Sequence, residues 1–471
     1  LKTGKAAGLD NIPPRLLKDT ADIVATPLTI IINASLRQGR VPDDWKSSRV
    51  IPLFKKGKTE NLDNYRPISI LPTASKLLER IVHKQVGDYL REHNILSSYQ
   101  CGFRKHHSTE FAALSLADTI RRNIEQGRLT GAVFIDFRKA FDSIDHQLLL
   151  NKLSTLGIEN QEYAWFESYL HQRTQSVGYQ GVFSEPEFIT TGVPQGSILG
   201  PMLFVMYVND LANVVRNCSI LMYADDTVLF FANSDISVIQ EKLNDDLRLM
   251  GTWLRDNCLF LNTSKTESMV FGSHARLARV CEFNITINDC AIKRVTEFRY
   301  LGILFDECIT WKSHVESILS KAGKRVGMLG RIRNDLTPYC ANVVYVSFVR
   351  PILEYCDTVW NCCGSQNVKN LEKLQRRAAR IVTRISDSDG AMEMMKWPSL
   401  QSRRDNNVFK LVNKCIQGRC PQFFQNYFFF NSEVHSRVTR QSNNLHLPRV
   451  RTEQAKKSFY YNGCVVYNNR I

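Results

Sequence analysis

Two adjacent aspartates, Asp225 and Asp226, interrupt an apolar, β-favouring run that extends over residues 220–231. Such a run predicts two strands joined as a hairpin, with both carboxylates at its tip. Ionised carboxylates beside apolar strands are costly unless a cation neutralises them. Mg²⁺ suits this position because it takes oxygen ligands and keeps coordination sites open for phosphates. Aspartate is also a common turn residue, so the pair alone fits an ordinary turn equally well.

A third carboxylate, Asp136, directly follows the apolar stretch 132–135, which has the pattern of a short buried strand. An acid at the carboxyl end of such a strand is typical of a functional position in an open sheet. Asp142 and Asp145 come next, and a turn residue and the cap of a helix over residues 145–156 are the simpler interpretations for them. Asp136 has no comparable structural explanation.

Two glycine-containing segments are candidates for contacts with a ligand. Residues 191–201 carry three glycines and two prolines, which let a backbone approach a flat ligand such as a base or ribose. Gly102 and Arg104 form a plausible clamp for a triphosphate. The alternatives are a plain loop before a core helix and a surface turn.

Hydrophobic periodicity and breaker residues predict the remaining elements. Helices are expected at 13–36, 75–93, 109–127 and 236–253, with a helix and hairpin within 161–188 and an apolar helix ending at 211. Strands are expected at 50–54, 259–262 and 298–303, and the chain is mostly helical from 311. A helix over 368–384 separates an apolar face from a basic face of six Lys and Arg residues.

The formal net charge of +15 and the pI near 9.2 favour a polyanionic partner, for which nucleic acid is the default. A basic surface that binds nothing is the alternative. Thirteen cysteines without a repeated C-x-x-C pattern indicate thiols in a reducing compartment and no zinc site. No apolar run reaches membrane-spanning length. Because the first residue is Leu1, we expect a piece of a longer polypeptide.

Together, the three carboxylates, the cation at Arg104 and the glycine-rich segment suit two-metal phosphoryl transfer. These residues alone leave two reactions open, nucleotidyl transfer and phosphodiester hydrolysis.

Seven short motifs follow one another along the chain: NYRPIS at 64–69, QCGFR at 100–104, FIDFRKAFD at 134–142, GVPQGS at 192–197, YADD at 223–226, LNTSKT at 261–266 and YLG at 300–302. Their order resembles the reverse transcriptases of non-LTR (LINE-type) retrotransposons of the jockey or CR1 kind, over about residues 1–305. The later segments RPILEY (350–355) and QRRAAR (375–380) are similar to the thumb and downstream region of those elements.

This resemblance implies an α+β, right-hand polymerase fold of fingers, a palm with an antiparallel sheet, and a helical thumb. It places fingers and palm in residues 1–305 and the thumb in 306–395. Residues 396–471 form a basic, aromatic extension without a recognisable motif. The family's amino-terminal endonuclease and a Cys/His knuckle are missing from this sequence.

The resemblance also assigns site residues. Asp136 and Asp225 would be the main ligands of two Mg²⁺ ions, or of Mn²⁺ as a substitute, with Asp226 and the Phe137 carbonyl supporting them. The other roles it implies are triphosphate binding by Arg66 and Arg104, a steric gate against the ribose 2′-hydroxyl at Phe141, contact with the templating pair at Gln195 and Gly196, general acid catalysis by Lys265, and a primer grip at Tyr300, Leu301 and Gly302.

The function implied is RNA-directed DNA polymerisation, with an RNA template, a DNA primer or target DNA, and dNTPs as partners. Other parts of a retrotransposon polyprotein are further expected partners, and no membrane is expected. We expect an intracellular protein, with a nuclear site of target-primed copying and a cytoplasmic ribonucleoprotein stage. The alternatives are a catalytically silent nucleic-acid-binding remnant and an RNA-directed RNA polymerase, against which the bulky Phe141 argues.

Overall fold

The computed structural model describes residues 1–434 and 440–470. The helices are α1 (Pro14–Asp19), α2 (Ala21–Gln38), α3 (Thr73–Glu92), α4 (Thr109–Glu125), α5 (His146–Thr155), α6 (Asn160–Leu170), α7 (Gly200–Tyr207), α8 (Leu211–Val214), α9 (Ile236–Asp256), α10 (His274–Leu277), α11 (Lys312–Ile332), α12 (Pro338–Val344), α13 (Arg350–Glu354), α14 (Asp357–Trp360), α15 (Ser365–Thr383), α16 (Ser388–Met394), α17 (Leu400–Ile416), α18 (Asn431–Val434), α19 (Glu453–Lys456) and α20 (Phe459–Asn468). The strands are β1 (Ser47–Phe54), β2 (Tyr65–Ile70), β3 (Leu129–Ile135), β4 (Phe137–Arg138), β5 (Thr174–Tyr179), β6 (Val182–Phe183), β7 (Glu187–Phe188), β8 (Ser219–Tyr223), β9 (Asp226–Asn233), β10 (Phe260–Leu261), β11 (Glu267–Phe271), β12 (Ile285–Ile287), β13 (Cys290–Arg294), β14 (Glu297–Tyr300) and β15 (Ile303–Asp306).

The largest sheet is built around β3, every residue of which is buried. Its strand order is β12-β13-β11-β3-β9-β8, and β3 pairs antiparallel with both β9 and β11. A Cβ on Gly131 would lie 2.5 Å from Ile239 Cγ2, so the missing side chain lets α9 pack directly on the strand. The apolar run 132–135 therefore lies in a central strand. Helix α9 covers one face of this strand, and β9 and β11 form hydrogen bonds along its two edges.

The described residues combine helices with sheets whose strand pairs are mostly antiparallel, as the α+β prediction requires. A second sheet has the order β2-β1-β5-β6, with β7 also paired to β5, and from Lys312 onward the described residues are predominantly helical. The helix α15 has the predicted two faces, because Leu371, Ala378 and Val382 are buried. All six of its predicted cations are exposed: Lys369, Lys373, Arg376, Arg377, Arg380 and Arg384.

The chain forms two compact units whose segments alternate in sequence. The first unit contains Leu1–Phe103, Asp136–Arg216 and Arg248–Asn262, and it holds the β1/β2/β5 sheet. The second contains Arg104–Ile135, Asn217–Leu247 and the described residues from Thr263 onward, with the β3 sheet and most of the later helices. The predicted domain boundaries at residues 305 and 395 stay predictions.

Several predicted elements differ from the structure at their ends. The helix predicted over 13–36 is two helices, α1 and α2, because the backbone of Thr20 leaves the helical conformation (φ −104°, ψ 21°) and ends α1. The apolar helix predicted to reach residue 211 stops at Tyr207, and α8 begins only at Leu211. The strands β11, β12 and β13 were not predicted.

Two further expectations concern disulfide bonds and membrane-spanning helices. All thirteen cysteines lie within the described ranges, and none of them is in a disulfide, as predicted. No helix among the described residues is long and apolar enough to span a membrane.

Candidate active site

The two adjacent aspartates lie at the tip of a hairpin, as the sequence predicts. Tyr223 at the end of β8 pairs with Asp226 at the start of β9, which leaves Ala224 and Asp225 as a two-residue turn. Ala224 has a φ of 56°, a left-handed conformation that costs a residue with a side chain about 1 kcal/mol or more. Asp225 is half-buried and Asp226 is exposed. The hairpin thus holds one strained backbone position directly before its two carboxylates.

The strand register aligns the end of β3 with the start of β9. Within the second unit, Ile135 at the end of β3 is paired with Thr227 of β9. Asp136 directly follows Ile135 in the chain, and Asp226 directly precedes Thr227. The Asp136 carbonyl accepts a 2.8 Å hydrogen bond from the Asn262 amide. Because β3 and β9 are antiparallel, the end of one and the start of the other lie at the same edge of the sheet.

The donor chemistry of these acids suits a hard divalent cation, because carboxylate and carbonyl oxygens are what Mg²⁺ prefers. Asp136 belongs to the first unit, and Asp225 and Asp226 belong to the second. Within residues 1–434 and 440–470, no three His, Cys, Asp or Glu side chains already form a metal-binding group. The three aspartates therefore suit Mg²⁺ through the type of their ligand atoms and through their positions at strand ends.

The glycine-rich segment is fastened to β2 by its own backbone. The Ser69 amide donates to the Gln195 carbonyl at 2.7 Å. A Cβ on Gly196, whose φ is 131°, would lie only 2.5 Å from the Ser69 carbonyl oxygen. The side-chain amide of Gln195 donates to both carboxylate oxygens of Asp142, at 2.9 and 3.0 Å. Burial raises the pKa of Asp142, and the Gln195 hydrogen bond opposes that rise.

Phe141 lies in the turn between β4 and α5, where its ring is half-buried. It stacks on Phe204 of the buried helix α7 with ring centroids 4.8 Å apart. The Val193 amide donates to the Phe141 carbonyl at 2.9 Å, which ties the turn to the glycine-rich segment. The ring position is consequently fixed from the core side, and the gate role stays a prediction.

A buried carboxylate that the sequence did not single out holds the start of α7. Glu79 of α3 is 1% exposed, and its Oε2 accepts from the Ile198 amide at 2.5 Å. Its Oε1 accepts from the Tyr169 hydroxyl at 3.1 Å. Burial raises the pKa of Glu79, while the Ile198 amide, the Arg173 charge and the Tyr169 hydroxyl oppose the rise. Glu79 is therefore a positioning residue for the glycine-rich segment.

The predicted cations are in different parts of the fold. Arg66 is exposed on β2, opposite Leu53 of β1, in the first unit. Arg104 is half-buried before α4, and Lys265 is exposed in the loop between β10 and β11; both belong to the second unit. Their predicted roles in triphosphate binding and proton transfer are not tested by these positions.

The predicted primer grip is the turn of the β14–β15 hairpin. Leu301 and Gly302 both have positive φ, 47° and 86°, as in a type I′ turn. Tyr300 is buried against Phe134 of β3, with ring centroids 5.6 Å apart. The Tyr355 hydroxyl donates to the Leu301 carbonyl at 3.0 Å. The RPILEY segment, singled out in the sequence without a role, thereby supplies a hydrogen bond to this turn.

An acid-bearing hairpin and a glycine-rich segment fixed beside a turn are features from which the sequence predicts nucleotidyl transfer or phosphodiester hydrolysis. Residues 54–305, more than half of the chain, match the family described as reverse transcriptase (RNA-dependent DNA polymerase). The chain belongs to this family, and the predicted α+β polymerase fold is confirmed.

The relatives narrow the family to the predicted group. The chain is 30% identical over 390 residues to the probable RNA-directed DNA polymerase from transposon BS of Drosophila melanogaster, covering 80% of this chain and 43% of the relative. It is 28% identical over 421 residues to the RNA-directed DNA polymerase from mobile element jockey of the same species, covering 87% and 44%. The resemblance to the enzymes of non-LTR retrotransposons is confirmed, and the chain spans less than half the length of these relatives.

Among solved structures, a telomerase from Candida albicans aligns over 88% of this chain and 69% of its own, with 13% identity and a TM-score of 0.39. At that score the likeness adds nothing to the family assignment.

Proposed function

We propose that this chain is the polymerase part of a longer retrotransposon protein and copies RNA into DNA by nucleotidyl transfer. The observation that carries the proposal is the family match over residues 54–305, which includes every motif from Arg66 to Gly302. The pairing of Ile135 with Thr227 supports it, because Asp136 follows the first of these residues in the chain and Asp226 precedes the second.

In this proposal Asp136 and Asp225 bind two Mg²⁺ ions, with Asp226 and the Phe137 carbonyl as supporting ligands. Bound divalent ions supply Lewis acidity for the attacking hydroxyl and neutralise the leaving pyrophosphate, and Mn²⁺ substitutes for Mg²⁺. The strained turn at Ala224 fixes the direction of the two following carboxylates.

The chain's own side chains orient the remaining groups. Arg66 and Arg104 hold the triphosphate through charge-assisted hydrogen bonds. Lys265 donates a proton to the departing pyrophosphate oxygen. Tyr300, Leu301 and Gly302 hold the primer end.

Three residues of the first unit, Phe141, Gln195 and Gly196, select the incoming nucleotide. The Phe141 ring, backed by Phe204, occupies the space of a ribose 2′-hydroxyl. Gln195 and Gly196 face the templating pair, and the Asp142 carboxylate keeps the Gln195 amide in one orientation.

Primer extension tests the proposal directly. Purified protein, an oligo-dT-primed RNA, dNTPs and Mg²⁺ should yield extended DNA, and Asp225→Asn should abolish extension. Asp256→Asn, at an exposed position at the end of α9, is the matched control and should leave extension unchanged. Extension that survives in both Asp225→Asn and Asp136→Asn would falsify the assignment of the acids. RNA binding without any incorporation by the wild-type chain would favour the catalytically silent remnant.

The sugar of the accepted nucleotide separates DNA from RNA synthesis. We expect dNTPs to be preferred over rNTPs, and Phe141→Ala should raise rNTP incorporation while dNTP incorporation persists. Unchanged discrimination in this variant would reject the gate role of Phe141, and a wild-type preference for rNTPs would indicate an RNA polymerase.

The partners in this proposal are an RNA template, a DNA primer or target, and the remainder of the longer protein. We also propose that copying takes place on target DNA in the nucleus, after a cytoplasmic ribonucleoprotein stage. Immunofluorescence of the tagged full-length protein together with its RNA tests that localisation.

A further inference from the structure

A cleft of about 420 Å³ lies between α4 and two aromatic stretches, residues 423–427 and the start of α20. Its volume falls in the range of about 300–1,000 Å³ that is usual for small-ligand sites. One wall is the face of α4 that carries Ser115, Thr119 and Arg122, and the other includes Phe423, Tyr427 and Tyr460. All of these residues belong to the second unit. The motifs of the polymerase do not include this cleft.

The aromatic wall is held in place before any ligand arrives. Asp118 of α4, 2% exposed, accepts from the Tyr427 hydroxyl at 2.9 Å. The same carboxylate accepts from the backbone amides of Phe459 and Tyr460, at 2.8 and 3.1 Å. The rings of Tyr427 and Tyr460 are 5.1 Å apart in an edge-on arrangement. A single buried carboxylate thus fixes both tyrosines that face the cleft.

The lining has the chemistry that recognises an unstacked base. Half-exposed aromatic rings offer faces for stacking, and Asn426 offers both an amide donor and a carbonyl acceptor. Arg122 is exposed at the rim and can meet a phosphate or stack on a base. Among the described residues that line the cleft, none is acidic. The Asp118 carboxylate is buried and already accepts hydrogen bonds from three donors.

We propose that this cleft binds an unpaired base of single-stranded RNA, and that the extension after residue 396 thereby contributes a contact with template RNA outside the polymerase motifs. The hydroxyls of Ser115 and Thr119 supply hydrogen-bond partners for a ribose 2′-hydroxyl, which favours RNA over DNA. The proposal deepens the proposed function by naming a second contact with the template, yet binding can be measured without any polymerisation.

Fluorescence anisotropy with a labelled oligo-U RNA tests this site in the complete chain. Tyr460→Ala should weaken binding by roughly 5- to 150-fold, the range for loss of one base–aromatic stack. Arg122→Gln should weaken it and reduce its salt dependence. The matched controls are Tyr461→Ala, the next residue of α20, and Arg128→Gln, an exposed arginine just beyond α4; each should change affinity by less than about 2-fold, well below the ~5-fold lower limit for loss of one stack. Equal losses in variants and controls would overturn the proposal.

Two further arms do not depend on how the variants fold. Wild-type protein should bind oligo-U RNA more tightly than oligo-dT DNA or duplex RNA, and equal affinity for oligo-dT would overturn the assignment to RNA. Photocrosslinking of wild-type protein to 4-thiouridine RNA should label the peptide with Tyr427 or Tyr460. Crosslinks confined to other peptides would show that the cleft has another occupant, such as a protein segment, and would overturn the proposal. Primer extension on a short template should persist in Tyr460→Ala, which separates this inference from the proposed function.

Discussion

Glu79 and Asp118 serve the same purpose in the two compact units. Each is a carboxylate on a long helix with 1% or 2% of its surface exposed, and each accepts a hydrogen bond from a tyrosine hydroxyl. Each also accepts from backbone amides at the beginning of another helix, Ile198 before α7 and Phe459 at α20. In both cases a buried arginine carries the nearby positive charge. Buried carboxylates of this kind are tolerated because several donors replace the lost water.

The two carboxylates differ in what they hold. The partners of Glu79, namely Tyr169, Arg173 and Ile198, all lie within the family-matched residues 54–305 and position the glycine-rich segment. The partners of Asp118 include Tyr427 and the start of α20, far outside that range. One carboxylate therefore shapes the candidate active site, and the other attaches the extension of the chain to α4. Four predictions test this contrast.

Removal of the carboxylates gives the largest expected effect. Glu79→Ala and Asp118→Ala should each cost about 3–5 kcal/mol of unfolding free energy, because each leaves a buried arginine and several donors unpaired. Glu79→Ala should also abolish primer extension at a temperature where the variant is still folded, whereas Asp118→Ala should retain it on a short template. Urea unfolding and extension assays measure the two effects, with Glu92→Ala on exposed α3 surface as the control. Equal loss of primer extension in both variants would show that Glu79 and Asp118 do not differ in their effect on the candidate active site.

A third buried carboxylate, Asp357, lacks the backbone amides that serve the other two in the described hydrogen bonds, and its donor is the Asn407 amide at 2.9 Å. Burial raises its pKa to about 8, with Glu110 and Glu354 adding to the rise and Asn407 and Arg404 opposing it. The folded carboxyl binds its proton more tightly than the unfolded one does. Its stabilising contribution is therefore complete below about pH 4 and is lost as the pH rises to about 8, at about 1.4 kcal/mol per pH unit.

Asp357→Asn should remove this dependence. The difference in unfolding free energy between the variant and the wild type should grow from pH 5 to pH 8 in favour of the variant. Chemical denaturation at several pH values measures it, and a difference that stays constant with pH would show that Asp357 does not titrate in this range.

Removal of one hydroxyl from each cluster should give a matched, smaller effect. Tyr169→Phe and Tyr427→Phe each delete a hydrogen bond to a buried carboxylate, for which we expect a loss of about 1.5–3 kcal/mol. Only Tyr169→Phe should also lower the rate of primer extension, because Glu79 positions the glycine-rich segment. If Tyr427→Phe slowed short-template extension as much, the two clusters would not be functionally separate.

The smallest effect on stability is expected for Tyr355, whose hydroxyl donates to an uncharged carbonyl oxygen. Tyr355→Phe removes the hydrogen bond to Leu301, and we expect about 0.5–1.5 kcal/mol of lost stability. If the β14–β15 turn grips the primer, the KM for primer–template should rise while kcat is retained. A fall in kcat with an unchanged KM would contradict that role.

The sequence predicted the elements whose causes are local. The hairpin around Asp225 and the cap at Asp145 both follow from residues within a few positions of one another. As a cap, the Asp145 side chain accepts from the Leu148 amide. The basic face of α15 was equally predictable, because helical periodicity alone separates its charged and apolar residues.

The clusters around Glu79 and Asp118 could not be predicted in this way. Glu79 meets its partners 90 and 119 residues further along the chain, and Asp118 meets its partners after 309 and 341 residues. A lone acid in an amphipathic helix gives no local sign that it faces inward. The same holds for Asp142, which a turn explains on its own until the Gln195 amide is seen to bond both of its oxygens.

The attachment of α20 to Asp118 has a consequence for how copies of such a chain can change over generations. The donors to the Asp118 carboxylate, Tyr427, Phe459 and Tyr460, all belong to the tail. A copy that lost the tail would lose these donors and the cover over Asp118 together, so that water would solvate the carboxylate instead. Selection for a stable protein would then no longer hold an aspartate at position 118. Sequences that lack the tail should therefore vary there, and a set of tailless copies that all retain the aspartate would argue against this dependence.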